Sequence, residues 1–524
     1  MDIGKIKLSA AVLSGLLLAG SFPKIGIPQL AWFALAPLLV SIQNLSFRNS
    51  FRLGFLCGLV HYLVLMYWLV YTMMTYGHLP LYVSIVVLIL LSAYLALYTA
   101  LFAALLSRLC RTSAGWIVMG PVLWVSLEYV RSFLLSGFPW ELLGYSQFAL
   151  LPLIQVSDLT GVYGISFIIV AANAVVSRMV SCLAGIRLQE EKAVATTWAL
   201  AAVFALSIVL SAVWFYGKWR MEKIDGLLAA APKTRITIVQ GNIDQAIKWD
   251  PAHQVQTLEK YIGLSSPART GPTDLVVWPE TATPFYFLHH RDLTEMVLQS
   301  VRRAATAFLI GSPSFTQDRN AVNYYNSAYL ISPQGRVLGK YDKAHLVPFG
   351  EYVPFKKWLP FLGKIVQEVG DFKPGKKGST LRLGDLRLGL QICFEIIFPG
   401  LSRSMADNNA GLLINLTNDA WFAKTSGPYQ HFSMAVFRAV ENRKTLVRAA
   451  NTGISGFVDP AGRIMAATPL FQEASLTRPV SILTEKTFYT RFGDLFAILC
   501  LITTALLALR ARKNKLTSGL TANR

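Results

Sequence analysis

Leu386-Arg387-Leu388-Gly389-Leu390-Gln391-Ile392-Cys393-Phe394-Glu395 is the stretch on which the reading turns. Residues 386–392 read as a strand, Cys393 follows at its end, and Pro399-Gly400 then opens a helix. Ends of strands that face a crevice are where α/β folds place reacting groups. A thiol in such a place needs activation, because the thiolate is the nucleophile and an unperturbed thiol is mostly protonated at pH 7. The other cysteines, Cys57, Cys110, Cys182 and Cys500, lie in apolar segments or beside them and read as small packed thiols. Cys393 stands alone in the polar part of the chain, where no intradomain disulfide can occupy it.

Further short runs of strand character surround it, at 235–240, 274–278, 307–311, 326–331, 411–416, 446–450 and 455–458. Helical patterns separate several of them, at about 251–265, 291–305, 399–408 and 428–444. This alternation predicts an α/β or α+β layered domain around a buried sheet. No Gly-x-Gly-x-x-Gly follows a strand and no phosphate-cradling loop with Lys-Ser/Thr is present, so nucleotide chemistry has no support. No metal and no cofactor are expected.

The rest of the 524 residues are of another kind. Charged residues make up 15% and hydrophobic ones 53%, against about 25% charged in an ordinary soluble domain. A bilayer core takes about 20 mostly apolar residues per helix. Runs of that kind lie at roughly 8–22, 27–43, 53–74, 80–106, 115–135, 162–182 and 195–216, with an eighth at about 493–510. The expected division is a seven-span bundle over 1–217, a soluble catalytic domain over 218–490, an eighth span over 491–512 and a basic tail over 513–524. The first run also has the form of a signal peptide, with Lys5 and Lys7 before it, but its loss would leave an odd span count.

Orientation follows from the loops. Arg48 and Arg52, then Arg108 and Arg111, then Arg178, Arg187 and Lys192 follow the even spans, and Arg510, Arg512, Lys513 and Lys515 end the chain. The positive-inside rule puts these loops and both termini in the cytoplasm and the soluble domain outside it, as a bacterial periplasmic domain would be. Lys218, Arg220 and Lys223 dissent weakly. Of the net charge of +20, +6 belongs to residues 1–218 and +5 to the tail from Arg510 onward. Most of the excess is therefore orientation charge, and nucleic acid drops out as a partner.

Activators for Cys393 come from two other blocks. Asp274-Leu-Val-Val-Trp278-Pro279-Glu280 delivers a carboxylate at a strand end, where the proline stops the ladder. The stretch from Tyr341 to Glu351 packs two acids, Lys343 and His345 into an aromatic loop. The histidines His253, His289, His290, His345 and His431 leave a Cys-His pair with His345 or His431 open, though neither sits in a protease-like motif.

Trp278-Pro279-Glu280, Tyr341-Asp342-Lys343 and Cys393-Phe394-Glu395, with Gly241-Asn242 and Asn418-Asp419-Ala420-Trp421-Phe422, resemble the ordered blocks of the nitrilase superfamily. Over essentially all its length the chain resembles that superfamily's membrane-embedded apolipoprotein N-acyltransferases. The resemblance implies an α-β-β-α sandwich on a polytopic helical bundle. It implies Cys393 as nucleophile, Glu280 as general base and Lys343 as stabiliser of the tetrahedral oxyanion. Glu351 and Glu395 would position these three, and Trp249 would line the substrate site. Phe394 stands where the family has Tyr, so no hydroxyl role carries over.

The implied reaction is ping-pong acyl transfer. The donor would be a phospholipid, with phosphatidylethanolamine indicated, and the acceptor the free α-amino group of an apolipoprotein's diacylglyceryl-cysteine. Residues 352–362, aromatic with Lys356 and Lys357, suit contact with the headgroup region. Two other readings stay open: a membrane-tethered amidase for small amides, and a non-enzymatic receptor or transporter. The second would need ionisable residues inside several spans. Glu128, Arg131 and Asp158 are the few candidates, all expected near the outer interface.

Overall fold

The computed structural model describes residues 3–186, 188, 192–318, 321–354 and 371–521. The chain divides into two compact units, Met1–Trp219 with Asp494–Arg524, and Arg220–Gly493.

Among the described residues of the first unit every regular element is a helix, the form in which an apolar segment can satisfy its own backbone in lipid. Among the described residues, five helices are long and apolar enough to cross a membrane: Leu81–Leu109, Ser113–Arg131, Val162–Leu183, Ala193–Ala230 and Leu495–Lys513. A sixth results if Phe47–Leu65 and Trp68–Thr75, bent by 54° at their junction, count as one span. Trp198, Leu200, Phe204, Ile208 and Phe215 are all exposed on the helix through 193–230, and so large an apolar surface suits lipid rather than water.

The apolar run expected as a span at 27–43 is broken instead. It forms a 3-10 turn, Pro28–Trp32, and a short helix, Ala36–Ser41. Asn173 makes the break tolerable. Its Oδ1 accepts from the N–H of Leu35 (2.7 Å) and of Ala36 (3.2 Å), and its Nδ2 donates to the carbonyl of Ala31 (2.7 Å). Backbone groups that a continuous helix would have paired are thus met by a side chain from another helix.

Among its described residues the second unit contains twelve strands: β1 (Lys233–Gln240), β2 (Leu275–Val277), β3 (Ala307–Asp318), β4 (Ala321–Ile331), β5 (Val337–Asp342), β6 (Thr380–Leu383), β7 (Leu386–Ile392), β8 (Leu412–Thr417), β9 (Thr445–Ala450), β10 (Gly456–Val458), β11 (Ile464–Ala467) and β12 (Ala474–Ser481). They build two six-stranded sheets, in the orders β12-β1-β2-β3-β4-β5 and β11-β10-β9-β8-β7-β6. The central ladders β1-β2-β3 and β7-β8-β9 are parallel and the flanking ones antiparallel. Strands β8 and β9 are buried at every position, the burial expected of parallel strands covered on both faces.

Helices Gln254–Leu264 and Arg291–Ala304 cover the first sheet. Leu258, Tyr261, Leu264, Val297 and Val301 form one core with Val276, Trp278, Phe308 and Ile310. Helices Pro399–Asp407 and Gly427–Asn442 pack on the second sheet. The unit is therefore an α/β sandwich of two helix-covered sheets.

Two expectations about its elements change. The stretch read as a loop from Tyr341 begins inside β5, an edge strand. There its polar residues find partners: Lys340 Nζ lies 3.1 Å from Asp342 Oδ1 and over the ring of Tyr325. Strands β6, β11 and β12 were also missed; all three lie at sheet edges, and the edge position of β12 explains why Pro479 is tolerated there. Of the interfacial segment 352–362, residues 355–362 lie outside the described residues.

Candidate active site

All three proposed reacting groups sit just past C-terminal strand ends: Glu280 after β2, Lys343 after β5 and Cys393 after β7. Gly311 on β3 allows the first of these placements. A Cβ there would lie 2.3 Å from the Pro279 carbonyl and 2.8 Å from the Glu280 Cα.

Lys343 is 1% exposed, and its Nζ is 2.9 Å from both carboxylate oxygens of Glu351 and 3.7 Å from Oε1 of Glu280. Burial opposes its charge, but Glu351 and Glu280 outweigh burial and hold its pKa above the usual lysine value. Asn326 on β4, which the sequence reading missed, joins the two acids. Its Nδ2 donates to Oε1 of Glu280 (2.8 Å) and to Oε1 of Glu351 (2.9 Å), while its carbonyl accepts from the N–H of Lys343 (2.8 Å). Oε2 of Glu351 accepts from the N–H of Val347 (2.8 Å). Oε2 of Glu280 is buried and has no hydrogen-bond partner among the described residues. That free acceptor is what a proton-accepting group needs.

Cys393 is 7% exposed and has φ +52°, the left-handed region that costs a residue with a side chain about 1–2 kcal/mol. Burial pushes its thiol up to about 12, and Glu280 adds to the rise while Lys343 opposes it. The resting group is therefore a thiol. It reacts only if its proton is taken, and the carboxylate whose charge it feels most is Glu280.

Two sets of contacts hold Cys393 in its strained conformation. Glu395 accepts from the N–H of Ile392 (2.7 Å), Ala344 (2.7 Å) and His345 (2.9 Å), and from the hydroxyl of Tyr341 (3.0 Å). It therefore ties the turn bearing Cys393 to the loop bearing Lys343. Burial lifts its carboxyl to about 7, with the Ile392 N–H and Lys343 pulling the other way. On the other side, the Nε2–H of His431 donates to the Cys393 carbonyl (3.2 Å), and the His431 Nδ1 lies 3.0 Å from Asp419 Oδ1. Arg448 Nη2 donates to Asp419 Oδ2 (2.8 Å). Burial alone would raise the Asp419 pKa, but Arg448 and His431 hold it well below the carboxylate range.

The two histidines considered for a Cys-His pair have contacts other than the thiol. His431 meets the main chain of Cys393, and His345 stacks on Phe398 with ring centres 3.8 Å apart. Phe394 packs edge-on against Phe398 at 5.3 Å. Trp249 is half exposed, while its neighbour Lys248 is buried, donates to the Glu280 carbonyl (3.2 Å) and is lowered to about 8 by burial, with Glu280 and Cys393 opposing. Asn418 of the fifth block bonds Gln245 (2.6 Å) and Asn451 (3.1 Å) and braces the loop after β1. Among the described residues, no group of three or more His, Cys, Asp or Glu side chains is placed to hold a metal ion.

A buried thiol, carboxylate and ammonium gathered at the strand ends of a two-sheet sandwich define a carbon–nitrogen hydrolase type of domain, and residues 235–484 match the carbon-nitrogen hydrolase family. Residues 14–175 match the N-terminal domain of apolipoprotein N-acyltransferase. The apolipoprotein N-acyltransferase of Geobacter metallireducens is 47% identical over 506 residues, which cover 96% of this chain and 95% of the relative. That of Chlorobaculum tepidum is 30% identical, covering 96% of each chain. The chain belongs to the apolipoprotein N-acyltransferase family and is an acyltransferase. A solved amidase of the nitrilase superfamily from Nesterenkonia is 21% identical, with a TM-score of 0.37, over 51% of this chain and 97% of its own. Membership along the whole length does not favour the small-amide hydrolase or the receptor.

Proposed function

We propose that this protein transfers an acyl chain from a phospholipid, phosphatidylethanolamine in particular, to the free α-amino group of an apolipoprotein's N-terminal diacylglyceryl-cysteine. The observation that carries the mechanism is the unpartnered Oε2 of buried Glu280, next to a thiol whose pKa is too high to ionise by itself. Cys393 is the nucleophile, Glu280 the base and Lys343 the cation facing the oxyanion.

In the first half-reaction the thiol proton passes to Glu280 as sulfur bonds to the ester carbonyl carbon. The negative charge gathers on the carbonyl oxygen, where a fixed donor contributes about 3 kcal/mol. The C–O bond then breaks, and the departing lysophospholipid oxygen takes the proton from Glu280. In the second half-reaction the acceptor amine attacks the thioester. The C–S bond breaks, and the proton released by the amine returns through Glu280 to the Cys393 sulfur. Glu351 and Asn326 hold Glu280 and Lys343 in register, and Glu395 holds the nucleophile turn.

The membrane reading extends the same proposal: eight spans, with Ile3–Gly20 and the broken segment 27–43 included, both termini cytoplasmic and the catalytic unit periplasmic in a bacterial inner membrane. The basic loops support it.

The test uses the full chain in detergent with phosphatidylethanolamine labelled in its acyl chain. Without an acceptor, mass spectrometry should find one acyl group on Cys393. A diacylglyceryl peptide with a free amine should then discharge it. A Cys393→Ala protein that still transfers acyl groups at the normal rate would sink the scheme.

A further inference from the structure

Lys248 lies in the turn that follows β1, is 1% exposed, and among the described residues its ammonium has one hydrogen bond, to the main-chain carbonyl of Glu280. An ammonium carries three N–H donors, so two remain for the interior of the site. Both charged forms it senses are reacting groups, the Glu280 carboxylate and the Cys393 thiolate. The turn itself is fixed at several points. Ile243 N–H bonds Asn451 Oδ1 (2.9 Å), Gln245 accepts from Asn418 (2.6 Å), and Ala246 N–H bonds Asp244 Oδ1 (3.0 Å).

We propose that Lys248 is a positioning residue of the acyl-transfer site, one that holds the Glu280 main chain and keeps a second positive charge beside the Glu280–Cys393 pair. This rests on the mechanism above. When the thiol proton moves to Glu280, the negative charge moves from carboxylate to sulfur without leaving the field of Lys248. Lys343 cannot serve alone, since its ammonium is already 2.9 Å from both oxygens of Glu351. Burying a second cation in the interior is costly unless a negative charge stays beside it throughout. Charge transfer between Glu280 and Cys393 meets that condition. Lys248 also links the base to the rim, because the next residue is the half-exposed Trp249.

The test measures two rates in the full chain in detergent, for wild type, Lys248→Met and Lys248→Arg. One is alkylation of Cys393 by iodoacetamide, which needs no lipid. The other is acylation of Cys393 by labelled phosphatidylethanolamine. Lys248→Met should slow both at least tenfold, leave the apparent KM for the lipid within threefold, and keep Tm within a few degrees. Lys248→Arg should recover most of the loss. Rates within twofold of wild type for Lys248→Met overturn the inference. So does an Arg variant as slow as the Met variant, because retained charge would then count for nothing. Absence of any acyl-enzyme in the wild type would instead overturn the reaction proposed above, and the alkylation rates would still decide the role of Lys248.

Discussion

Glu280 and Glu395 are both buried acids, but their partners divide them into a reactive and a structural one. Glu280 keeps one oxygen unmet, and Glu395 accepts from three N–H groups and a hydroxyl. Glu280→Gln keeps the shape and removes the base, so acylation of Cys393 should fall by about 10²–10⁴-fold with Tm nearly unchanged, followed by single-turnover labelling. Glu395→Gln turns an amide N–H₂ toward N–H donors, leaving buried groups unpaired at about 1–3 kcal/mol each. Both Tm and activity should fall. The pH dependence has a definite sign. With the Glu395 carboxyl lifted to about 7, its contribution to stability is full below the unfolded value of 4.5 and is lost as pH rises through 7. The Tm gap between wild type and Glu395→Gln should therefore narrow from pH 5 to pH 8. A gap that widens would show that the carboxylate is the favoured buried form. Cys393, Glu280 and Lys343 were legible because each sits in a short block with its own strand-end context. Asn326, Lys248 and Arg448 were not, since each acts on a partner 29 or more residues away and sits in no block of its own.

At the scale of elements, the site depends on how closely β3 approaches the end of β2. Gly311→Ala would set a methyl group against the Pro279 carbonyl and the Glu280 Cα, so β2 must shift its last residues. Activity should drop at least tenfold while the sheet persists, because about 1 Å of misplacement costs roughly 10²-fold in such sites. Circular dichroism together with the acyl-enzyme assay separates displacement from unfolding. A Gly311→Ala protein with normal activity would mean that the approach is looser than the distances indicate. Runs such as β1 and β7 were readable because apolar and β-branched residues dominate them. The edge strands β5, β6, β11 and β12 were not, since a strand open to solvent on one side carries charge and polar residues as a loop does. The break within 27–43 falls just before Pro37, which cannot continue a helix from the preceding turn, but the group that meets the freed backbone, Asn173, lies on a helix more than a hundred residues later.

For the whole molecule, the separation into apolar helices and one long polar stretch was visible in composition alone, while the number of spans was not. Bent and interrupted helices obey the same hydropathy as straight ones, so a run of apolar residues does not reveal whether it crosses. The proposed orientation makes a direct prediction. A membrane-impermeant maleimide should label Asp385→Cys, in the exposed turn between β6 and β7, in cells whose outer membrane alone is opened. It should label Arg512→Cys only after the inner membrane is broken. The opposite pattern would reverse the topology without touching the chemistry.

In the catalytic unit, β1 and β12 lie antiparallel with Lys233 opposite Ser481. The first and last strands of the unit are thus neighbours, with facing Cα atoms about 5 Å apart. A fold whose ends adjoin can be spliced into another polypeptide at a single peptide bond, because the host needs no new path to rejoin. By the same geometry, residues 233–481 could be cut out as one cassette and grafted into a different carrier.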